Sequence, residues 1–197
     1  WSPPKTIPSP SGPTTGAGDP SIVFSRDGKL AVYVHIVDKP ANADFKAIAS
    51  AVSTDGGKMW TGAKEIGTLD LDEDGDGQND NDDKPYIAVG PDAKDPTLTH
   101  DRVVVTWVRH NVIYASTSTD GTLWSTPVVV GGLMAGSSAA PPSGTSMNPM
   151  PSVGPNGEIY VVWEDYGETG KSKIKFDVSL DGGKTWGGGH DAKVSFA

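Results

Sequence analysis

The stretch Ser53-Thr54-Asp55-Gly56-Gly57-Lys58-Met59-Trp60 returns at 179–186 as Ser-Leu-Asp-Gly-Gly-Lys-Thr-Trp. A copy one residue shorter, Ser-Thr-Asp-Gly-Thr-Leu-Trp, stands at 118–124. The opening Trp-Ser-Pro at 1–3 matches the end of that copy, so we expect the chain to begin at the end of a fourth unit. The closing tryptophans recur about every 60 residues, which is the spacing of a repeat protein.

Between these motifs the apolar runs are short, of strand length, and broken by turn residues such as Gly-Pro-Asn-Gly at 154–157. No longer window has a helical period. Four strands per unit predict an all-β fold, a β-propeller of four-stranded antiparallel blades, with about three blades in this chain. The predicted units span about 1–60, 61–124 and 125–186, and 187–197 start a further strand, with a final strand near 193–196.

The repeated motif is suited to a tight turn. Its aspartate accepts backbone N–H bonds, its glycines take positive φ, and its tryptophan covers the end of the hairpin. We interpret the motif as structural, with each tryptophan largely buried beside its own turn; the alternative is that these residues bind a ligand. The residues concerned are Ser53, Asp55, Gly57, Trp60, Ser118, Asp120, Trp124, Ser179, Asp181, Gly183 and Trp186.

The motif resembles the Asp-box, or bacterial neuraminidase repeat, of sialidases and related propellers, and the resemblance covers essentially the whole chain. It implies that the motifs lie in the turns between third and fourth strands, on the lower rim of the propeller. The long links at 5–19, 67–84 and 131–149 then lie on the upper rim, where loop length favours function. Because Asp-boxes also occur in propellers that are not sialidases, the resemblance implies no particular catalysis.

A second motif lies within 70–83, where the chain reads D-x-D-x-D-G-x-x-D-x-x-D from Asp72. Oxygen ligands at alternate positions followed by a glycine turn favour one bound Ca²⁺, which also relieves the repulsion between the carboxylates. The loop resembles the calcium loops of thrombospondin type-three repeats and dockerins, and the alternative is a solvated acidic insertion. We expect Ca²⁺ to clamp this link next to Pro85 and Tyr86. The predicted ligands are Asp72, Asp74, Asp76, Gln78, Asp80 and Asp83.

Composition excludes several classes of function. The formal net charge is −9 with no cysteine, so disulfides and thiol catalysis are excluded. No Lys/Arg cluster is present, which argues against nucleic acid and anionic membranes as partners. No apolar run is long enough to span a bilayer, and no signal peptide is visible in the sequence itself. The family resemblance nevertheless implies a secreted or cell-surface protein.

The resemblance also implies what a catalytic site needs, since sialidases of this fold use three arginines, a Tyr nucleophile assisted by Glu, and an Asp. The chain holds only Arg26, Arg102 and Arg109, and we expect only Arg109 to face the upper rim. We therefore assign no catalytic residue. Other polar residues expected at the upper rim are Asp38, His110, Glu164, Asp165 and Tyr166, whereas His35 is expected to pack on a strand.

The sequence thus favours a calcium-stabilised, non-catalytic scaffold or glycan-recognition module. The alternative is a glycoside hydrolase of the exo-sialidase type, with its catalytic arginines outside this segment. Three blades do not close a ring, so the expected partners are the remaining blades of the same protein or another copy, together with glycans.

Overall fold

The computed structural model describes residues 3–4, 6–7, 15–38, 46–67, 81–131, 146–166 and 173–187. Every regular element in these ranges is a β-strand, and none of them contains a helix able to cross a membrane. The eleven strands form three antiparallel sheets, which we call blades 1, 2 and 3.

Blade 1 contains β1 (Thr15–Phe24), β2 (Ala31–Asp38), β3 (Lys46–Ser53) and β4 (Lys64–Glu65). Blade 2 contains β5 (Asp82–Pro91), β6 (Asp101–Arg109), β7 (Val112–Ser118) and β8 (Val128–Val129). Blade 3 contains β9 (Ser146–Val153), β10 (Ile159–Asp165) and β11 (Lys173–Ser179). The final strand predicted near 193–196 lies outside the described residues.

Strands are joined in sequence order within each blade, and the first strands of successive blades contact one another, β1 with β5 and β5 with β9. This is the arrangement of propeller blades around a common axis. The predicted fold class, a β-propeller present in part, is confirmed. The fourth strands of blades 1 and 2 come after the tryptophans at which the predicted units end, so each sheet extends several residues past that tryptophan.

The core lies between the blades. Along β2, alternate residues Val32, Val34 and Ile36 point to the front face, the face toward the next blade, and pack against Trp107 of β6. Blade 2 repeats this, because Val104 on its front face packs in a cluster with Trp163 of blade 3. We call the opposite face of each blade its rear face. Period-two alternation thus buries both faces of the second and third strands of blades 1 and 2, which explains why these middle strands are rich in apolar residues.

The turn between β6 and β7 is a two-residue hairpin at His110 and Asn111, both with positive φ. This backbone geometry matches the twist of the flanking strands. His110, which we predicted as an upper-rim candidate, is therefore a turn residue.

Candidate functional site

The three repeated motifs, which we call the box turns (53–60, 118–124 and 179–186), share one hydrogen-bond pattern. In each, the serine Oγ donates to the aspartate Oδ1, at 2.9, 3.0 and 2.8 Å in chain order. The serine Oγ also accepts a glycine N–H, from Gly57, Gly121 and Gly183. The same aspartate Oδ1 then accepts two further backbone N–H groups in each turn.

These bonds set the acidity of the box aspartates. The N–H of Met59 holds the pKa of Asp55 below its ordinary value. Burial pushes the pKa of Asp120 and Asp181 upward, but the hydrogen bonds they accept outweigh it, and both pKa values are lowered. The carboxylates therefore stay charged at neutral pH and serve as acceptors within their own turns.

The box tryptophans pack in three separate apolar clusters, so they do not line one shared site. Trp186 is only 5 % exposed between blades 2 and 3, as expected, whereas Trp124 between blades 1 and 2 is half-buried. Trp60, also half-buried, lies on the rear face of blade 1 with Ile7. The indole N–H of Trp124 donates to Ser50 Oγ of blade 1 at 2.9 Å. Trp124 and Trp186 thus belong to the contact of their own blade with the preceding one.

All three arginines are paired with aspartates. Arg26 of blade 1 donates from both its Nε and its backbone N–H to Asp101 of blade 2. Arg102 binds Asp92 through two hydrogen bonds of 2.8 and 2.6 Å, and both side chains are buried.

Arg109, which we expected to face the upper rim, is instead buried. Its Nε lies 2.8 Å from Asp82 Oδ1, its second nitrogen lies 3.2 Å from Oδ2, and its guanidinium covers the ring of Tyr114. Asp82 lies at the C-terminal end of the acidic loop and meets Arg109 across the β5–β6 ladder, so register brings the two charges together.

A cavity of about 270 Å³, which we call the axial cavity, lies where the first strands of the three blades come together. Here Asp19, Lys84 and Asn148, each just before a proline, all have positive φ, of 48°, 54° and 54°. Each lies beside a register shift between the first and second strand of its blade. Such backbone costs on the order of 1–3 kcal/mol per residue and tends to cluster at functional sites. Its lining residues are Asp19, Pro20, Lys84, Pro85, Tyr86 and Asn148.

The charges in this axial cavity are coupled. Lys84 Nζ lies 3.0 Å from Asp19 Oδ2 and 3.3 Å from Asp83 Oδ1. The hydrogen bond to Asp19 is the main cause of the raised pKa of Lys84. Tyr86 is 37 % exposed beside them. The cavity thus offers a cation, carboxylates, an amide and an aromatic ring at one place.

Of the predicted calcium ligands, only Asp83 lies within the described residues. Asp72, Asp74, Asp76, Gln78 and Asp80 lie outside them. Asn81 Oδ1 accepts the backbone N–H of Lys46 at 2.9 Å, so the C-terminal end of the acidic loop is fixed to β3 as well as to Arg109. No group of three His, Cys, Asp or Glu side chains that could hold a metal occurs in the described part of the chain.

The other upper-rim candidates occupy different environments. Asp165 is buried and paired with Lys175, whereas Tyr166 is exposed and its Oη donates to Glu164 Oε2 at 3.2 Å. Asp38 ends β2 and is half-buried. His35 packs on a strand, as we expected, stacked on Tyr33 at 4.8 Å between ring centroids, and burial lowers its pKa.

The comparisons with known proteins bear on the fold. No protein-family model matches the chain, and no curated protein matches its sequence. Among solved structures, the Hadza microbial sialidase Hz136 matches with 14 % identity and a TM-score of 0.56, over 85 % of this chain and 36 % of that one. A Dyadobacter fermentans DSM 18053 protein of unknown function matches with 15 % identity and a TM-score of 0.57, over 91 % and 55 %. The GH93 alpha-L-arabinofuranosidase of Fusarium graminearum, in complex with arabinobiose, matches with 18 % identity and a TM-score of 0.54, over 89 % and 47 %.

These similarities show a sialidase-like β-propeller fold. The chain spans between 36 % and 55 % of the length of these three structures, in agreement with a propeller that is present in part.

Proposed function

We propose that this chain is part of a secreted or cell-surface, non-catalytic propeller that recognises glycans and is stabilised by Ca²⁺. One observation carries the non-catalytic assignment. Every arginine of the chain is held by an aspartate of the scaffold, and the pairs at Arg102 and Arg109 are buried. Removing the aspartate from a buried pair costs several kcal/mol of folding free energy, on the order of 3–5 kcal/mol. The guanidinium groups of Arg102 and Arg109 therefore stabilise the fold and do not bind a substrate carboxylate.

Glycan recognition is proposed for the axial cavity. Lys84, Asp19 and Asn148 offer donors and acceptors for sugar hydroxyls, and Tyr86 offers an aromatic face for a sugar ring. Two of the similar structures are glycosidases, a sialidase and an arabinofuranosidase. Glycosidases act on glycans, which is the class of ligand proposed here. The box turns are, in this proposal, Asp-boxes with a structural role.

The glycan proposal is tested by a glycan array, followed by calorimetry with the best sugar found. Tyr86→Ala should lower the affinity at least tenfold, because the ring contact is lost. Met59→Ala is the matched control, since Met59 is exposed on a box turn remote from the axial residues in sequence. Absence of binding to every sugar, or equal loss in both variants, would show that the axial cavity is not a glycan site.

Calcium binding is proposed for Asp72, Asp74, Asp76, Asp80 and Asp83, with the carbonyl of Gln78. The anchored end of the loop at Asn81 and Asp82 supports it, because a fixed end lowers the cost of ordering a chelating loop. Asp83 accepts hydrogen bonds from the backbone N–H and the Nζ of Lys84. A bound cation would replace the Lys84 ammonium as the positive charge beside this carboxylate.

Ca²⁺ should raise the melting temperature, and a chelator should lower it and expose the chain to proteolysis between 70 and 83. Asp74→Ala with Asp76→Ala should abolish this response. Asp27→Ala with Glu158→Ala removes two carboxylates elsewhere and should preserve it. No heat of Ca²⁺ binding, with an unchanged melting temperature in chelator, would leave only a solvated acidic loop.

The second candidate, a glycoside hydrolase of the exo-sialidase type, is favoured by the Tyr166–Glu164 pair. The hydrogen bond to Glu164 raises the pKa of Tyr166, and the same bond places Glu164 to accept the phenol proton. Hydrolysis of a fluorogenic sialoside by the chain, abolished in Tyr166→Phe, would establish this activity. We expect no hydrolysis.

A further inference from the structure

The two contacts between blades follow one rule. Trp124 of blade 2 lies against blade 1 at Ser50, and Trp186 of blade 3 lies in one cluster with Ala115 of blade 2. Ser50 and Ala115 are equivalent, because each lies three residues before the serine that begins a box turn. The front face therefore carries a small side chain where the next blade places its tryptophan.

The glycines of the box turns lie so close to the preceding blade that there is no room for a side chain on them. A Cβ built on Gly121 would lie 2.7 Å from Val32 and Val52 of blade 1. A Cβ built on Gly183 would lie 2.6 Å from Thr117 of blade 2. The box turn of each following blade thus touches the preceding front face directly.

Blade 3 breaks this rule on its own front face. The residue equivalent to Ser50 and Ala115 is Phe176, and its ring stacks on Tyr160 at 5.7 Å between centroids. Val162, which pairs with Phe176 across the ladder, is 39 % exposed, whereas its equivalents Val34 and Thr106 are fully buried. This front face is apolar, only partly covered, and already filled by an aromatic pair at the tryptophan position.

We infer that the front face of blade 3 binds a further β-blade whose third-to-fourth-strand turn lacks the box tryptophan and presents a small residue opposite Phe176. The occupant is a blade because the equivalent faces of blades 1 and 2 are covered by blades. It lacks the tryptophan because Phe176 occupies that ring's place, and two rings in one tightly packed position would overfill it. In this contact the aromatic side chain, Phe176, belongs to the preceding blade. In the other two contacts the aromatic side chain, Trp124 or Trp186, belongs to the following blade.

The test appends a second copy of residues 68–131 to the C-terminus of the intact chain, with the copy's tryptophan either kept or replaced by alanine. Both fusions are made with Phe176 and with Phe176→Ser. The chain has no cysteine, so Val162→Cys provides a unique thiol whose labelling rate reports whether the face is covered. Leu123→Cys, on an exposed box turn, is the control thiol.

With Phe176 present, the alanine copy should slow labelling at position 162 at least tenfold, and the tryptophan copy should not. With Phe176→Ser the order should reverse, while labelling at position 123 stays unchanged. Equal protection by both copies on Phe176 would overturn the requirement for a small residue. No protection by either copy in either background would show that the face does not bind a blade. Labelling of the unfused chain that slows with rising protein concentration would assign the face to a second copy and overturn the proposed occupant.

Discussion

The contact between blades 1 and 2 and the contact between blades 2 and 3 have the same design but differ in one polar detail. In the first, the indole N–H of Trp124 is paired with Ser50. In the second, Ala115 replaces the serine, and the indole N–H of Trp186 is buried without a hydrogen-bond partner among the described residues. Trp124 also donates to the carbonyl of Gly121 in its own turn at 3.1 Å, so the neighbouring blade supplies one of two acceptors for this indole.

A second difference lies in the arginine pairs near these contacts. Arg26, between blades 1 and 2, is about half-exposed, so water screens its bond to Asp101. Arg102 is buried beside Gly182 of blade 3 and also donates to Thr117 Oγ1 at 3.2 Å. The contact that lacks a partner for its tryptophan therefore has the buried ion pair, and the other contact has the exposed one. Each of these differences can be measured.

The largest expected effect is the loss of a box tryptophan. Trp186→Ala should lower the free energy of unfolding by about 3–5 kcal/mol, because a buried ring leaves a cavity. Trp124→Ala should cost less, since that ring is half-buried. Urea unfolding of both variants gives the comparison, and a larger cost for Trp124→Ala would contradict the burial-based order.

The buried ion pair comes next. Asp92→Ala should cost about 3 kcal/mol, because it leaves Arg102 charged and desolvated. Asp101→Ala should cost about 1 kcal/mol or less, because Arg26 regains water. Chemical denaturation at neutral pH and two salt concentrations measures both, and equal costs would show that burial does not separate the two pairs.

Exchange of the residues that face the tryptophans should give small effects of opposite sign. Ser50→Ala should lower the free energy of unfolding by about 1 kcal/mol, and Ala115→Ser should raise it by a similar amount by pairing Trp186 Nε1. The double variant should leave stability near that of the parent. A loss of stability in Ala115→Ser would mean that the blade 2–blade 3 contact has no room for the hydroxyl.

The smallest effect concerns acid. Because the pKa of Asp181 is lowered in the folded state, its contribution is present above the unfolded pKa, near 4, and is lost as pH falls through the folded value. Asp181 accepts a bond from Thr185 Oγ1, whereas the equivalent residue of the first box turn is Met59, which has no hydroxyl to donate to Asp55. Asp181→Asn should therefore flatten the fall of stability below pH 4 more than Asp55→Asn does. Thermal melts between pH 2 and 6 measure this, and identical curves would contradict it.

The calcium loop and the axial cavity mark the limits of prediction from sequence. The spacing of Asp72 to Asp83 predicts a cation site from neighbouring residues alone, and it stays a prediction. The axial cavity was not predicted, although prolines after Asp19, Lys84 and Asn148 were a visible signal. Its residues come from three blades, and only their packing around the axis brings them together.

By itself, the sequence determined the repeat, the four-stranded blades and the turns, because these depend on bonds between residues a few positions apart, such as Ser53 Oγ to Asp55 Oδ1. Tertiary structure alone decided which partners the arginines and the tryptophans contact. Arg26 meets Asp101 across 75 residues, and Trp124 meets Ser50 across 74. Such pairs depend on strand register and on which blade lies alongside, and neither is encoded in any short stretch of the chain.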